Sequence, residues 1–174
     1  MKRHNKLTIG CGAGFSGDRI ESALILTEQA DLDYLVLECL AERTIALAQK
    51  RKAQDPTKGY DPLLEKRIFL LLPLLKKYKT RLITNMGAAN PLAAADKIIE
   101  IAREQNIKIK VAVVLGDDVF EKISGNETAL ETNEPLSKAG ELISANAYLG
   151  ADALLPALQS DAEIIITGRV ADPS

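Results

Sequence analysis

Residues 9–19, with the sequence IGCGAGFSGDR, contain four glycines within eight positions, directly after a short apolar run. Gly12, Gly14 and Gly17 match the pattern G-x-G-x-x-G, which binds dinucleotides where it joins a strand to a helix. Glycines at such a junction leave room for the close approach of a ligand or of a packed helix. The stretch therefore predicts a strand, a turn and a helix, which is the opening unit of an α/β fold.

The same alternation of short apolar runs and helical segments continues along the chain, as is typical of an α/β domain with a mainly parallel sheet. We predict strands at residues 7–10, 34–38, 81–84, 108–115 and 163–167. We predict helices at residues 18–30, 40–53, 62–78, 91–105, 136–147 and 151–159. The fourth apolar run is almost continuously β-branched, which predicts a central strand covered on both faces. The expected fold is a doubly wound, mainly parallel sheet of about five strands with helices on both faces, Rossmann-like or flavodoxin-like.

Several residues predict where helices and loops begin. Asp18 with Glu21 resembles a capping box, and Pro91 suits the first turn of a helix because it lacks an N–H. Asn106 fits the position just after a helix. Residues 122–135, which contain both glycine and proline, predict a long loop.

Length and composition limit the possible classes of protein. The 174 residues are 47% hydrophobic and carry a formal net charge of -2, so they can bury one core and create no field that favours nucleic acid or an anionic membrane. No apolar window is long enough for a membrane span or a signal peptide, so we expect a cytoplasmic protein. Cys11 and Cys39 are too few for a disulfide framework, and we expect both to be small buried hydrophobes.

Polar residues follow every predicted strand. The carboxyl ends of parallel strands meet at one edge of the sheet, where ligands bind. Each segment after a strand mixes small residues with ionisable or amide groups, at positions 10–19, 38–43, 85–90, 116–118 and 168–172. We therefore predict a site at this edge, with Gly12, Glu38, Asn85, Asp117 and Arg169 around a common crevice.

The glycine-rich stretch leaves three interpretations open. It could bind NAD or FAD, with Glu38 near the position of a ribose-binding acid. A carboxylate at Asp18, where the helix N-terminus would face a pyrophosphate, argues against this. The glycines could serve only a tight turn and close helix packing, or their amides could hold a different anion or polar ligand.

Acids and amides at the same edge could carry the chemistry. A general acid or base, or oxygen ligands for magnesium, could come from the acids Glu38, Glu42, Asp117, Asp118 and Asp172, although solvation and helix capping explain any one of them as well.

Two amides, Asn85 and Asn90, bracket three small residues and the methionine before Pro91. Asn90 could simply cap the helix that Pro91 begins, whereas Asn85 is harder to explain in that way.

Three arginines follow three different strands: Arg19, Arg43 and Arg169. The fold could bring them to one crevice, where guanidinium groups would hold a carboxylate or phosphate bidentately. Alternatively each pairs with a neighbouring acid, Asp18 or Glu21 for the first, Glu42 for the second and Asp172 for the third.

Five blocks, IGCGAGFSGDRIESAL, LDYLVLECLAERTIALAQ, GYDPLLEKRI, LITNMGAANPLAAA and IIITGRVADPS, closely resemble successive segments of the acyclic terpene utilisation protein family, AtuA-type. The resemblance runs in order from the first strand to the last residue. It implies a bacterial-type cytoplasmic protein in the catabolism of acyclic terpenes such as citronellol and geraniol, whose intermediates are branched acyl-CoA thioesters. Because members of that family are longer, the resemblance also implies that residues 1–174 form a single α/β domain in the N-terminal part of a longer protein.

The residues and the resemblance together favour an enzyme acting on a small-molecule anionic substrate, a carboxylate or an acyl thioester with CoA as its carrier. Backbone amides of residues 12–17 would hold an anionic or carbonyl oxygen, and Glu38 or Asp172 would transfer protons. A nucleotide or magnesium is a weaker expectation. The alternative is a non-catalytic nucleotide- or CoA-binding subunit. We expect a homo-oligomer, or completion by the remainder of a longer chain, because the edge after the last strand lacks a covering helix.

Overall fold

A computed structural model describes residues 6–171 of the chain. The strands are β1 (Ile9–Ala13), β2 (Tyr34–Leu37), β3 (Arg81–Thr84), β4 (Val111–Val114) and β5 (Ile164–Thr167). The α-helices are α1 (Ile20–Gln29), α2 (Glu42–Gln54), α3 (Leu64–Tyr78), α4 (Pro91–Glu104) and α5 (Leu155–Gln159). Short 3-10 helices lie at Phe120–Lys122, Leu136–Ala139 and Ala151–Leu154.

All five strands are parallel, in the order β1-β2-β3-β5-β4. The α/β class is therefore confirmed, and the arrangement is consistent with a Rossmann-like or flavodoxin-like fold. Right-handed crossovers in one direction place α1, α3 and α4 on one face of the sheet. The last crossover runs back from the edge strand to the gap beside β3, so α5 lies on the other face.

The two faces of the sheet are covered unequally. The larger core lies under α1, α3 and α4, where Leu35, Leu72 and Ile98 are fully buried. The smaller core lies under α5 and includes Ala157 and Ile165. Burial of these side chains is the main force that holds the helices on the sheet.

The fourth apolar run does not form a central strand, so that prediction is wrong. β4 is an edge strand in which only Val114 is buried, whereas all four residues of β5 are buried. β5 is an interior strand, since it pairs with β3 on one side and with β4 on the other. Both strands are short, apolar and β-branched, so their composition does not distinguish the edge from the centre.

The predicted helix at residues 136–147 is also wrong, because only the 3-10 helix Leu136–Ala139 forms there. Gly140 follows with a φ of 101°, which ends the turn. The long loop at 122–135 is confirmed, as is Pro91 at the first position of α4. Asn106 follows α4 with a φ of 56°, as expected just after a helix.

Candidate functional site

The parallel sheet places the segments that follow the five strands at one edge. Glu38 follows β2, Asn85 follows β3, Asp117 lies beyond β4 and Arg169 beyond β5. These segments contact one another through hydrogen bonds that join the ends of neighbouring strands. We call this region the carboxyl edge.

The first two glycines of the stretch, Gly10 and Gly12, lie where helix α1 packs closely against β1. β1 continues to Ala13, so Gly12 lies inside the strand, where the register with β2 shifts. A Cβ atom on Gly12 would lie 2.8 Å from the Ala23 Cβ of α1, and one on Gly10 would lie 2.8 Å from a Leu26 methyl. Close packing of α1 against β1 therefore requires glycine at Gly12, where the neighbour is the Cβ of the helix itself, whereas at Gly10 the leucine methyl groups could shift. A Cβ on Gly14, by contrast, would have no atom within 4 Å.

Asp18 occupies the amides of the glycine-rich turn. Its carboxylate accepts hydrogen bonds from the Gly14 N–H at 3.0 Å and from the Arg19 N–H at 2.9 Å. These backbone hydrogen bonds lower the pKa of Asp18 below its ordinary value. The predicted capping box is wrong, because α1 has Arg19 as its N-cap and no side-chain cap. A carboxylate already satisfies the amide that a pyrophosphate would need, so the geometry does not favour a dinucleotide.

Glu38 and Asn85 form a joined pair at the ends of β2 and β3. The Asn85 Nδ2 group donates to Glu38 Oε1 at 2.8 Å, and the Leu40 N–H donates to the same oxygen at 3.0 Å. Asn85 Oδ1 in turn accepts from the Cys39 N–H at 2.7 Å. Asn85 therefore fixes both the carboxylate and the backbone after β2.

Arg169 is buried, with 3% of its surface exposed, and protein groups surround its guanidinium. It donates to the Leu40 carbonyl and to Glu42 Oε1, each at 2.9 Å, and stacks 4.0 Å from the centre of the Tyr148 ring. Asp117 Oδ2 accepts from the Arg169 backbone N–H at 2.8 Å. These contacts join the segment after β5 to the start of α2. A ligand role for Arg169 stays a prediction.

The structure does not bring the other predicted arginines into this network. Arg19 and Arg43 are exposed, and neither side chain makes an ion pair with a described residue. The pairing expected for Arg43 is absent within residues 6–171, because Glu42 faces Arg169 and the Tyr148 hydroxyl. Asp172 lies outside the described residues.

Asn90 caps α4, as the simpler interpretation predicted. Its Oδ1 accepts from the Ala93 N–H at 3.3 Å, and its Nδ2 donates to the carbonyls of Pro56 and Lys58, both at 2.8 Å. Its polar atoms thus hold the loop between α2 and α3.

Asp118, another predicted acid, forms an exposed ion pair with Lys52 at 3.4 Å.

Sequence reasoning missed a buried cluster formed by Ser16, Cys39, Asp61 and Arg67. Asp61 Oδ2 accepts from the Ser16 hydroxyl at 2.5 Å. Arg67 donates to Cys39 Sγ at 2.9 Å and lies 3.9 Å from Asp61 Oδ1.

Arg67 also holds the glycine-rich turn, since it donates to the carbonyls of Ser16 at 3.1 Å and Asp18 at 2.9 Å. One pattern could have revealed it, because Arg67 interrupts the apolar stripe of Leu64, Ile68 and Leu71 on α3. A charged residue on a buried helical face needs partners, which points to a buried polar cluster.

Two of the cavities at the carboxyl edge contain the polar residues described above. One, of about 180 Å³, has mainly apolar walls and includes Glu38 and Asn85; we call it the apolar cavity. The other, of about 100 Å³, includes Ser16, Arg51 and Asp61; we call it the Arg51 cavity.

The described part of the chain contains neither a cluster of metal-ligating side chains nor a membrane-spanning helix. Among residues 6–171, no three His, Cys, Asp or Glu side chains are grouped so that they could hold a metal ion. No helix in that range combines the length and apolar character needed to cross a membrane.

The sequence of this chain matches the model of one known protein family. Residues 7–174 match the family model described as acyclic terpene utilisation family protein AtuA. The match covers nearly the whole chain, so the protein belongs to this family. No curated protein and no solved structure matches the chain.

Proposed function

We propose that this protein acts in the utilisation of acyclic terpenes by binding a branched acyl thioester or carboxylate in the apolar cavity, where Glu38 transfers a proton. Family membership supports the association with terpene utilisation. The observation that carries the proposal is the combination of an apolar cavity with a positioned carboxylate at its wall.

The walls of the apolar cavity suit a branched hydrocarbon chain. Val36 of β2 and Ile83 of β3 line the cavity, together with Leu154 and Val170. Burial is worth about 0.8 kcal/mol per methylene, so five carbons would contribute about 4 kcal/mol, which corresponds to millimolar affinity. Tighter binding would need contacts to the carboxylate or to the thioester carrier.

The fixed orientation of Glu38 supports a role in proton transfer. Both of its hydrogen bonds are to Oε1, from Asn85 and Leu40, and within residues 6–171 no hydrogen bond reaches Oε2. One oxygen therefore anchors the carboxylate while the other can take or give a proton. A positioned acid or base of this kind contributes about 10²- to 10⁴-fold to a rate.

The test compares thermal stability and turnover with 3-methylbutanoyl-CoA, acetyl-CoA, free CoA and ADP. We expect the branched thioester to raise the melting temperature most, because stabilisation grows with ligand concentration over Kd and reaches about 2.7 kcal/mol at 100 Kd. Glu38→Gln should keep this shift, since Gln still accepts at Oε1, and should lose turnover by at least about 100-fold.

Glu121→Gln is the matched control, because Glu121 is exposed on a 3-10 helix away from the apolar cavity. Full turnover by Glu38→Gln would remove Glu38 from the chemistry. Stabilisation by CoA or ADP alone, with no turnover of any thioester, would support the non-catalytic binding subunit instead.

A further inference from the structure

The Arg51 cavity lies between the glycine-rich turn and the loops that follow β2 and β3. Its walls include Ser16, Cys39, Thr44, Arg51, Asp61 and Ala88. Its volume of about 100 Å³ exceeds the 10–15 Å³ or so that one water requires, so a small organic ion fits. It is separate from the apolar cavity, because Glu38 and Asn85 line only the latter.

The charge of the Arg51 cavity is positive. Asp61 is its one carboxylate, and that charge is already satisfied by Arg67, by the Ser16 hydroxyl and by the Leu63 N–H. Burial raises the pKa of the Cys39 thiol to about 12, so the thiol is neutral and adds no negative charge. Arg51 therefore supplies a charge that nothing else on the cavity wall balances.

Arg51 also keeps hydrogen-bond donors available. Its side chain makes one hydrogen bond within the described residues, from NH2 to the Tyr60 carbonyl at 3.3 Å, and no described carboxylate forms an ion pair with it. A guanidinium has five N–H donors in a planar fork that matches a carboxylate. The two buried arginines, Arg67 and Arg169, differ, because their guanidinium groups are already engaged with protein groups. Arg19 and Arg43 differ in another way, because they are exposed and do not line the Arg51 cavity.

We propose that the Arg51 cavity binds a small carboxylate, with Arg51 as the residue that recognises its charge. This site goes beyond the proposed function, since it involves neither the apolar cavity nor Glu38. Arg67 has a positioning role here: by holding the carbonyls of Ser16 and Asp18, it keeps the glycine-rich turn in place as one wall of the cavity.

The experiment is a nuclear magnetic resonance titration of the full chain with 2-methylpropanoate and with its neutral isostere 2-methylpropanamide. We expect saturable shifts of the backbone amides around the Arg51 cavity with the acid, and at least about tenfold weaker binding of the amide. Arg51→Gln should weaken binding of the acid by about tenfold, and Arg51→Lys by a smaller factor, because lysine keeps the charge and loses the fork.

Arg43→Gln is the matched control, because it removes the same charge from an exposed position on the same helix. It should leave the affinity within about twofold, since exposed charges are screened. Equal binding of acid and amide, equal loss in Arg43→Gln, unchanged binding in Arg51→Gln, or no saturable binding by the wild type would each overturn the proposal. If Arg51→Gln fails to fold, the Arg51→Lys titration decides, and unchanged binding there together with equal binding of the amide overturns it. Because no thioester or Glu38 variant is used, the result is independent of the proposed function.

Discussion

Two buried arginines at the carboxyl edge differ in the carboxylate that each one faces. Arg67 is 1% exposed and approaches Asp61, which is itself 3% exposed. The Arg169 side chain is 4% exposed and pairs with Glu42, whose side chain is 73% exposed. Both guanidinium groups also donate to backbone carbonyls of loops that follow strands, and Arg67 donates to Cys39 Sγ as well.

From this difference we expect burial of the carboxylate partner to decide how much each ion pair contributes to the free energy of unfolding. If Arg67 is removed, Asp61 stays in the interior without its cation, and the cost of an unpaired buried charge is large. If Arg169 is removed, Glu42 can return to water at little cost. The two regions therefore predict a graded series of effects on the free energy of unfolding.

The largest effect is expected for Arg67→Met. It leaves Asp61 buried without its cation and frees the carbonyls of Ser16 and Asp18, so we expect a loss of about 3–5 kcal/mol in urea unfolding. Arg43→Met, at an exposed position with no ion pair among the described residues, should stay within about 0.5 kcal/mol.

Because a loss of about 3–5 kcal/mol can exceed the whole stability of a marginal domain, the double variant Arg67→Met with Asp61→Asn is measured beside the two single variants. Removing both charges should cost less than the sum of the two single changes, since the pair is coupled. Simple additivity would show that Arg67 stabilises only through its carbonyl partners.

The fold was predictable from the sequence where local pattern suffices. The run at residues 81–84 matches β3 because it is a short, partly β-branched run between two helical segments, and such a signal is local. Parallel strands then bring their carboxyl ends to one edge. The order of β4 and β5 was not predictable. It depends on which strand inserts beside β3, and their similar compositions do not encode that choice.

The site was predictable only in part, for the same physical reason. The Glu38 and Asn85 segments could be placed because each directly follows a strand. The contact between Arg67 and the Ser16 carbonyl joins residues 51 positions apart, and local periodicity contains no information about it. Likewise, the glycines of β1 gave no indication whether a ligand or α1 would approach them.

An intermediate loss in the free energy of unfolding is expected for Arg169→Lys. Lysine keeps the charge but cannot reach the Leu40 carbonyl and Glu42 in one plane while stacking on Tyr148, so we expect a loss of about 1–2 kcal/mol. The measurement is urea unfolding with and without 3-methylbutanoyl-CoA. Unchanged stability with weaker ligand binding would instead assign Arg169 to an anionic substrate.

The smallest loss in the free energy of unfolding is expected for Glu42→Gln. The pH dependence of this loss distinguishes the exposed ion pair of Arg169 from the buried ion pair of Arg67. The Tyr148 hydroxyl, which donates at 2.6 Å, a backbone hydrogen bond and the nearby Arg169 together lower the pKa of Glu42 below its ordinary value of 4.5. A carboxyl whose pKa is lower in the folded state stabilises the protein above its unfolded pKa, and the contribution disappears as the pH falls through the folded pKa. The free energy of unfolding of the wild type should therefore exceed that of Glu42→Gln by a constant margin well above the ordinary pKa of 4.5. The two values should converge as the pH falls below 4.5 and through the lower folded-state pKa.

Salt provides the control for that pH series. Because the Glu42 side chain is 73% exposed, 0.5 M or so of sodium chloride should reduce the margin. The same salt should change the loss caused by Arg67→Met much less, because Asp61 is only 3% exposed and buried pairs are screened less than exposed ones. A margin for Glu42→Gln that does not shrink at all as the pH falls below 4.5, or that resists salt, would mean that Glu42 acts through packing against Tyr148. The contrast between the two arginines would then rest on their loops rather than on the exposure of their partners.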